Sequence, residues 1–183
     1  AMNIDEKLKK LRKSISETGG LAVAFSGGVD STFLCAVAVA ELGDKAIAVT
    51  AMSPTYPAHE QKESEQLART LGIAHEMVES NELEIPHFSE NPVNRCYYCK
   101  RELFEVVRQV ADRHGLPAIA DGTNADDLND HRPGRRAGKE GGVLSLLLSA
   151  GLGKAEIREL SRRLGLPTAD KPAFACLASR FPY

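Results

Sequence analysis

The chain is short of several features, and each shortage excludes a class of protein. It lacks an excess of one charge. The 23 Lys and Arg against 25 Asp and Glu leave a formal net charge of −2 over 183 residues, which excludes a strongly basic protein that holds nucleic acid by bulk electrostatics. No apolar run approaches the ~20 residues of a membrane-spanning helix. No signal-peptide pattern opens the chain, because the first fifteen residues are charged throughout and hold five Lys and Arg. Ala1 ahead of Met2 reads as a cloning remnant. Only four cysteines are present, too few for the disulfide scaffold of a short secreted domain. A reduced, cytoplasmic protein is therefore expected, with thiols available for packing, metal or chemistry. Internal repeats and low-complexity tracts are also missing. What remains is an ordinary globular balance, 43% hydrophobic and 26% charged, in a length that suits one core.

Apolar runs alternate with amphipathic stretches. Helices are predicted over Asn3 to Thr18 (Leu8, Leu11 and Ile15 forming one stripe), Ser31 to Leu42, His59 to Leu71, Tyr97 to His114 and Lys154 to Leu164. Glycine follows each of them. Between them lie short apolar strands, Leu21 to Phe25, Ala46 to Thr50, His75 to Val78 and Ala118 to Ala120. This rhythm predicts an α/β fold, an open parallel sheet with helices on both faces. Its functional face should lie at the carboxyl ends of the strands. The irregular stretches Met52 to Ala58, Asn81 to Arg95 and Gly122 to Gly142 should gather there. Residues 1–170 form the expected domain. The loop-like residues 171–183 read as the start of a truncated C-terminal region.

The strongest motif is Phe25-Ser26-Gly27-Gly28-Val29-Asp30-Ser31. It follows a buried strand and precedes a helix, where a phosphate loop belongs. Gly27 and Gly28 let the backbone turn its N–H groups onto an anion. Ser26 and Ser31 add hydroxyls, and the helix start favours phosphate charge. Asp30 would repel bare phosphate, so it either helps hold a metal ion or caps the helix. A plain glycine turn is the alternative. The Gly-Lys-Ser/Thr ending of a Walker A loop is absent.

The run SGGVDS after a hydrophobic strand resembles the PP-loop of the ATP pyrophosphatase superfamily, whose members split ATP into AMP and pyrophosphate. Three later segments sharpen the likeness: Ser53 to Pro57, the run Gly122 to Asp127 with Arg132 to Arg136, and Lys171 to Arg180. Together they resemble the LarE family, the ATP-dependent sulfur transferases that build the nickel-pincer nucleotide cofactor of lactate racemase. The likeness implies ATP-dependent adenylation of a pyridinium carboxylate and its conversion to a thiocarboxylate. It also implies a C-terminal portion serving oligomerisation and substrate binding.

In that family the position of Cys176 supplies the transferred sulfur where a single cysteine is active, leaving dehydroalanine. Lys171 and Arg180 stand near enough in sequence to lower its thiol pKa. A small buried cysteine is the alternative reading. Cys96 and Cys99 form a C-x-x-C pair at the predicted start of a helix, which fits a redox pair, half a zinc site or part of a cluster, the alternative being two incidental thiols on an amphipathic helix. With Cys176 the thiols number three. Zinc in a closed structural site takes a fourth ligand, whereas a [4Fe–4S] cluster held by three thiolates keeps one iron open. Because some family members carry the three-cysteine pattern, the cluster version is favoured, with Cys176 a ligand rather than a sacrificed atom. Cys35 reads as packing.

Asp121, Asp126, Asp127 and Asp130 follow the fourth strand. Asp127 is expected to contact magnesium near the pyrophosphate, with Asp126 second, though a solvated loop gives the same pattern. Gly122 and Thr123 would approach the nucleotide, and Met52 would border the adenine. Arg132, Arg135, Arg136 and Arg180 could hold the substrate's phosphate or carboxylates, with a solvated basic loop the alternative for the first three. The five histidines show no metal spacing and receive no role. The expected partners are thus ATP, magnesium, a cluster, a pyridinium mononucleotide and further copies of the chain, with neither membrane nor nucleic acid. A cluster-dependent tRNA thiolation enzyme and a non-catalytic nucleotide sensor are the competing readings.

Overall fold

A computed structural model describes residues 2–53, 56–80, 92–129 and 142–173, with the backbone alone for 92–99 and 128–129. Helix α1 (Ile4–Thr18) opens on the Asn3 side chain, which accepts from the Glu6 amide at 2.9 Å, and closes on Gly19 at φ 73°. Strand β1 (Leu21–Ala24) follows, then α2 (Val29–Leu42), β2 (Ala46–Met52), α3 (Ala58–Leu71) and β3 (Ala74–Glu79). The second half holds α4 (Pro92–Arg113), β4 (Ala118–Ala120), α5 (Leu146–Ser149) and α6 (Lys154–Arg163).

The four strands form one parallel sheet in the order β3-β2-β1-β4. Leu21 pairs with Ala46 on one side and Ala118 on the other. Successive β1 residues therefore face opposite layers. Leu21 and Val23 join α1, α2 and α6 through Leu11, Ile15, Phe33, Leu34 and Ile157. Ala22 and Ala24 meet α4 through Phe104, Val107 and Val110. Both faces are covered, and this is why the strands read as unbroken apolar runs rather than as an alternation. The edge strand β3 is the exception. Its sequence AHEMVE is only partly buried, as an edge requires.

Several boundaries differ from the sequence expectation. Helix α2 starts at Val29, two residues early. Strand β2 runs to Met52 because β3 supports it to the Met52–Glu79 pair, so Met52 ends the strand instead of following it. Helix α4 begins at Pro92, and the fixed φ of proline suits a first helical position. Cys96 and Cys99 consequently lie inside this helix. Short elements within 122–153 were not anticipated: a 3-10 turn at Ala125–Asn129, a parallel bridge from Ala120 to Leu144, and the four-residue α5. Each is too brief to carry a period. Among the described residues no helix is long and apolar enough to cross a membrane.

Candidate nucleotide site

The chain runs outward from β1 through β2 to β3, then returns to place β4 on the other side of β1. The strand order therefore reverses between β1 and β4, and the loops leaving these two strands meet. Open α/β sheets bind ligands at such a crevice. The meeting is close: a Cβ on Gly122 would fall 3.1 Å from the Ser31 amide nitrogen and 3.2 Å from Asp30 Cβ. Glycine lets the second loop lie against the first turn of α2.

The loop after β1 is tightly folded. Gly27 has φ 81°, a left-handed value. The Ser26 amide donates to Ser31 Oγ at 3.2 Å, the two serine hydroxyls lie 3.2 Å apart, and the Gly28 amide donates to Ser26 Oγ at 3.2 Å. Gly28 is the N-cap of α2 and lacks a side-chain cap. The helix thus opens without a built-in oxygen acceptor, as an anion site does. Asp30 lies inside the first turn, which settles one of its two expected roles: it does not cap α2.

Asp30 instead faces the second half of the chain. Lys154, the first residue of α6, places Nζ 2.7 Å from Asp30 Oδ2, and Asn124 Nδ2 donates to the same oxygen at 3.3 Å. Asp30 Oδ1 is buried and has no hydrogen-bond partner among the described residues. Asn124 is itself buried and organises the loop after β4. Its amide donates to Asp127 Oδ2 at 3.0 Å, and its Oδ1 accepts from the Asp126 amide at 2.8 Å. Asp126 then accepts from the Lys154 amide at 2.9 Å, supplying α6 with the cap that Gly153 lacks. Asp121 accepts from the Thr123 amide, the Thr123 hydroxyl and the Ser145 hydroxyl. The hydroxyl of Thr123 is therefore directed into its own loop. From the C-terminal side Lys171 Nζ donates to the Gly27 carbonyl at 3.0 Å.

The loop after β2 flanks the site. Gln61 Nε2 donates to the Met52 sulfur. Tyr56 and Ser64 hydroxyls lie 3.0 Å apart, and a Cβ on Gly27 would fall 3.3 Å from Ser64 Oγ. Burial raises the Tyr56 pKa most. Glu60 and Glu63 push the same way, and the Ser64 hydrogen bond opposes them.

Lys154, Asn124 and the contact of Lys171 were missed as site features. Nothing local marks Lys154, since a lysine in a first helical turn is unremarkable by pattern. Cys35 is fully buried and its pKa is raised by desolvation, which agrees with packing. Cys96 and Cys99 stand three residues apart in the backbone of α4. Cys176, Arg132, Arg135, Arg136 and Arg180 lie outside the described residues. Among the described residues no group of three or more His, Cys, Asp or Glu could hold a metal ion. Magnesium needs no such group, because one or two carboxylates and the phosphates themselves suffice. The unpartnered Asp30 Oδ1 beside the loop fits that demand.

The chain matches the Asparagine synthase family over residues 9–126. It is 34% identical over 178 residues to the pyridinium-3,5-bisthiocarboxylic acid mononucleotide synthase of Lactiplantibacillus plantarum, covering 97% of this chain and 64% of that protein. It is 45% identical over 180 residues to an uncharacterized protein of Synechocystis, covering 98% of this chain and 67% of that protein. The chain thus spans about two thirds of the length of these relatives. Two solved structures share its fold. NMN synthetase from Francisella tularensis superposes with TM-score 0.76 at 18% identity, over 94% of this chain and 76% of that one. NH3-dependent NAD synthetase from Campylobacter jejuni gives TM-score 0.69 at 15% identity, over 98% and 82%. The parallel α/β fold expected from the sequence is the one these structures have.

Proposed function

Because this chain belongs to the Asparagine synthase family, we propose that it is an ATP-dependent sulfur transferase acting on a carboxylate of a pyridinium dicarboxylate mononucleotide. One observation carries the nucleotide half: a loop of glycine amides and paired serine hydroxyls at the sheet's switch point, with Lys154 at its rim. The likeness to the L. plantarum synthase carries the substrate half.

Ser26, Gly27, Gly28 and Ser31 receive the triphosphate, and Gly122 and Thr123 close on it from β4. Asp30 and Asp127 would hold magnesium, and Met52 borders the adenine. Lys154 neutralises the charge that develops on the leaving pyrophosphate. The substrate carboxylate attacks the α-phosphorus, the bond to the β-phosphate oxygen breaks, and an acyl adenylate forms. A hydrosulfide then adds to the acyl carbon and expels AMP, leaving a thiocarboxylate and one proton. Cys96, Cys99 and Cys176 would hold a [4Fe–4S] cluster, which would supply that sulfide from its open iron. Arg135, Arg136 and Arg180 hold the substrate's phosphate and second carboxylate.

The test is anaerobic reconstitution of the full chain with iron and sulfide, then incubation with ATP, magnesium and the pyridinium dicarboxylate mononucleotide. Mass spectrometry should show AMP and thiocarboxylate product with Cys176 intact. A loss of H₂S from Cys176 would move the sulfur source to that residue. Absence of AMP and pyrophosphate would overturn the reading.

A further inference from the structure

His75 has no metal spacing in the sequence, yet it stands at the head of a hydrogen-bonded chain that ends in the glycine loop after β1. Its Nε2 lies 2.7 Å from Thr50 Oγ1. Thr50 is buried and donates its hydroxyl to the Phe25 carbonyl at 2.9 Å. That carbonyl belongs to the same peptide group as the Ser26 amide, which donates to Ser31 Oγ. The Ser31 and Ser26 hydroxyls meet, and Ser26 Oγ receives the Gly28 amide. The peptide that opens the loop is therefore clamped at both ends, its oxygen from β2 and its N–H from α2. The Phe25 amide is held as well, donating to the Val49 carbonyl at 2.8 Å.

The sheet register makes this chain possible. His75 pairs with Ala48 and Thr50 with Met77, so His75 and Thr50 are diagonal neighbours on one face. Phe25 packs on that face too, its ring edge-on to the imidazole at 88° with centroids 5.5 Å apart. A threonine hydroxyl has one proton. Once Thr50 gives it to Phe25, Thr50 can only accept from His75, so the imidazole proton sits on Nε2.

We propose that His75 is a positioning residue for the nucleotide site: acting through Thr50, it fixes the plane of the Phe25–Ser26 peptide and with it the serine hydroxyls and Gly28 amide that meet the triphosphate. Linked hydrogen bonds of this kind polarise one another. The proposal rests on the loop binding ATP, as argued above.

The test uses ATP titration calorimetry on the full chain with magnesium. His75→Leu and Thr50→Val should each weaken ATP about tenfold, the loss of one partly buried hydrogen bond on a positioning group. The double variant should be no weaker than either single one, because both cut one chain. His75→Gln and Thr50→Ser, which keep a donor and a hydroxyl, should restore most of the affinity. In the wild type, nitrogen-15 spectra should show neutral His75 protonated at Nε2. Additive losses in the double variant, unchanged affinity in Thr50→Val, or a proton on Nδ1 would each overturn the proposal. Should His75→Leu fail to fold, Thr50→Val and the spectra still decide it. A wild-type protein that binds no ATP would instead refute the nucleotide reading itself.

Discussion

Lys154 and Asp30 are 124 residues apart in sequence and form an ion pair of 2.7 Å beside the glycine loop that follows β1. The pair is only partly exposed, and the second oxygen of Asp30 has no hydrogen-bond partner among the described residues. An arriving polyphosphate offers Lys154 a stronger partner than one carboxylate, and magnesium offers Asp30 a replacement.

Removing Lys154 should therefore cost binding more than folding. Lys154→Ala is expected to weaken ATP about tenfold or more, since one charge-assisted contact is lost. It should lower unfolding free energy by about 1 kcal/mol, the upper end for an ion pair that keeps some solvent contact. Calorimetric titration beside urea denaturation separates the two. Equal ATP affinity in the variant would remove Lys154 from the site.

Gly27 tests the loop's shape. At φ 81° an added Cβ is strained by about 1–2 kcal/mol, and it would press on Ser64 Oγ at 3.3 Å. Gly27→Ala should relieve this by moving the loop, so ATP binding is expected to fall well beyond the modest stability loss. Retention of wild-type affinity would show that the turn does not set the phosphate contacts.

The pH dependence of stability follows from His75. Burial lowers its pKa from the ordinary 6.5, and Glu65 opposes that only in part. Below 6.5 the unfolded chain takes up a proton that the folded chain resists. Stability is thus full above that pH and declines as pH falls from it toward the lowered folded value. Urea midpoints between neutral and mildly acidic pH should fall less in His75→Gln than in the wild type. An identical decline in both would assign the effect to other groups.

The cysteines should divide by type. Cys96→Ser with Cys99→Ser is expected to abolish iron uptake on anaerobic reconstitution, read by iron content and Mössbauer spectra. Cys35→Ala should bind iron normally and lose about 1–2 kcal/mol of stability through a small core cavity. A variant lacking Cys96, Cys99 and Cys176 that binds the same iron would remove the cluster from the proposed chemistry.

Much of the architecture was legible in local pattern. The apolar stretches at Leu21, Ala46 and Ala118 became the strands, with an edge strand from Ala74 beside them, and the glycine turn at Ser26 to Ser31 became the loop at the sheet's switch point. Such features depend on backbone preference and on which residues avoid water, and both are written within a few positions of each other. Where the pattern was too short, at α5 and the Leu144 bridge, or where a proline opened a helix at Pro92, boundaries slipped.

By itself the chain of residues determined the α/β order and the glycine turn that leaves β1. Only the tertiary structure decided who touches that loop. Lys154, Asn124, Lys171 and His75 reach it because β1 lies between β2 and β4, and side chains far apart in sequence acquire partners only once the strand order is set. The same packing set Asp30, read from sequence as a metal contact or a helix cap, in an ion pair with Lys154, and placed a histidine without metal spacing at one end of a hydrogen-bonded chain.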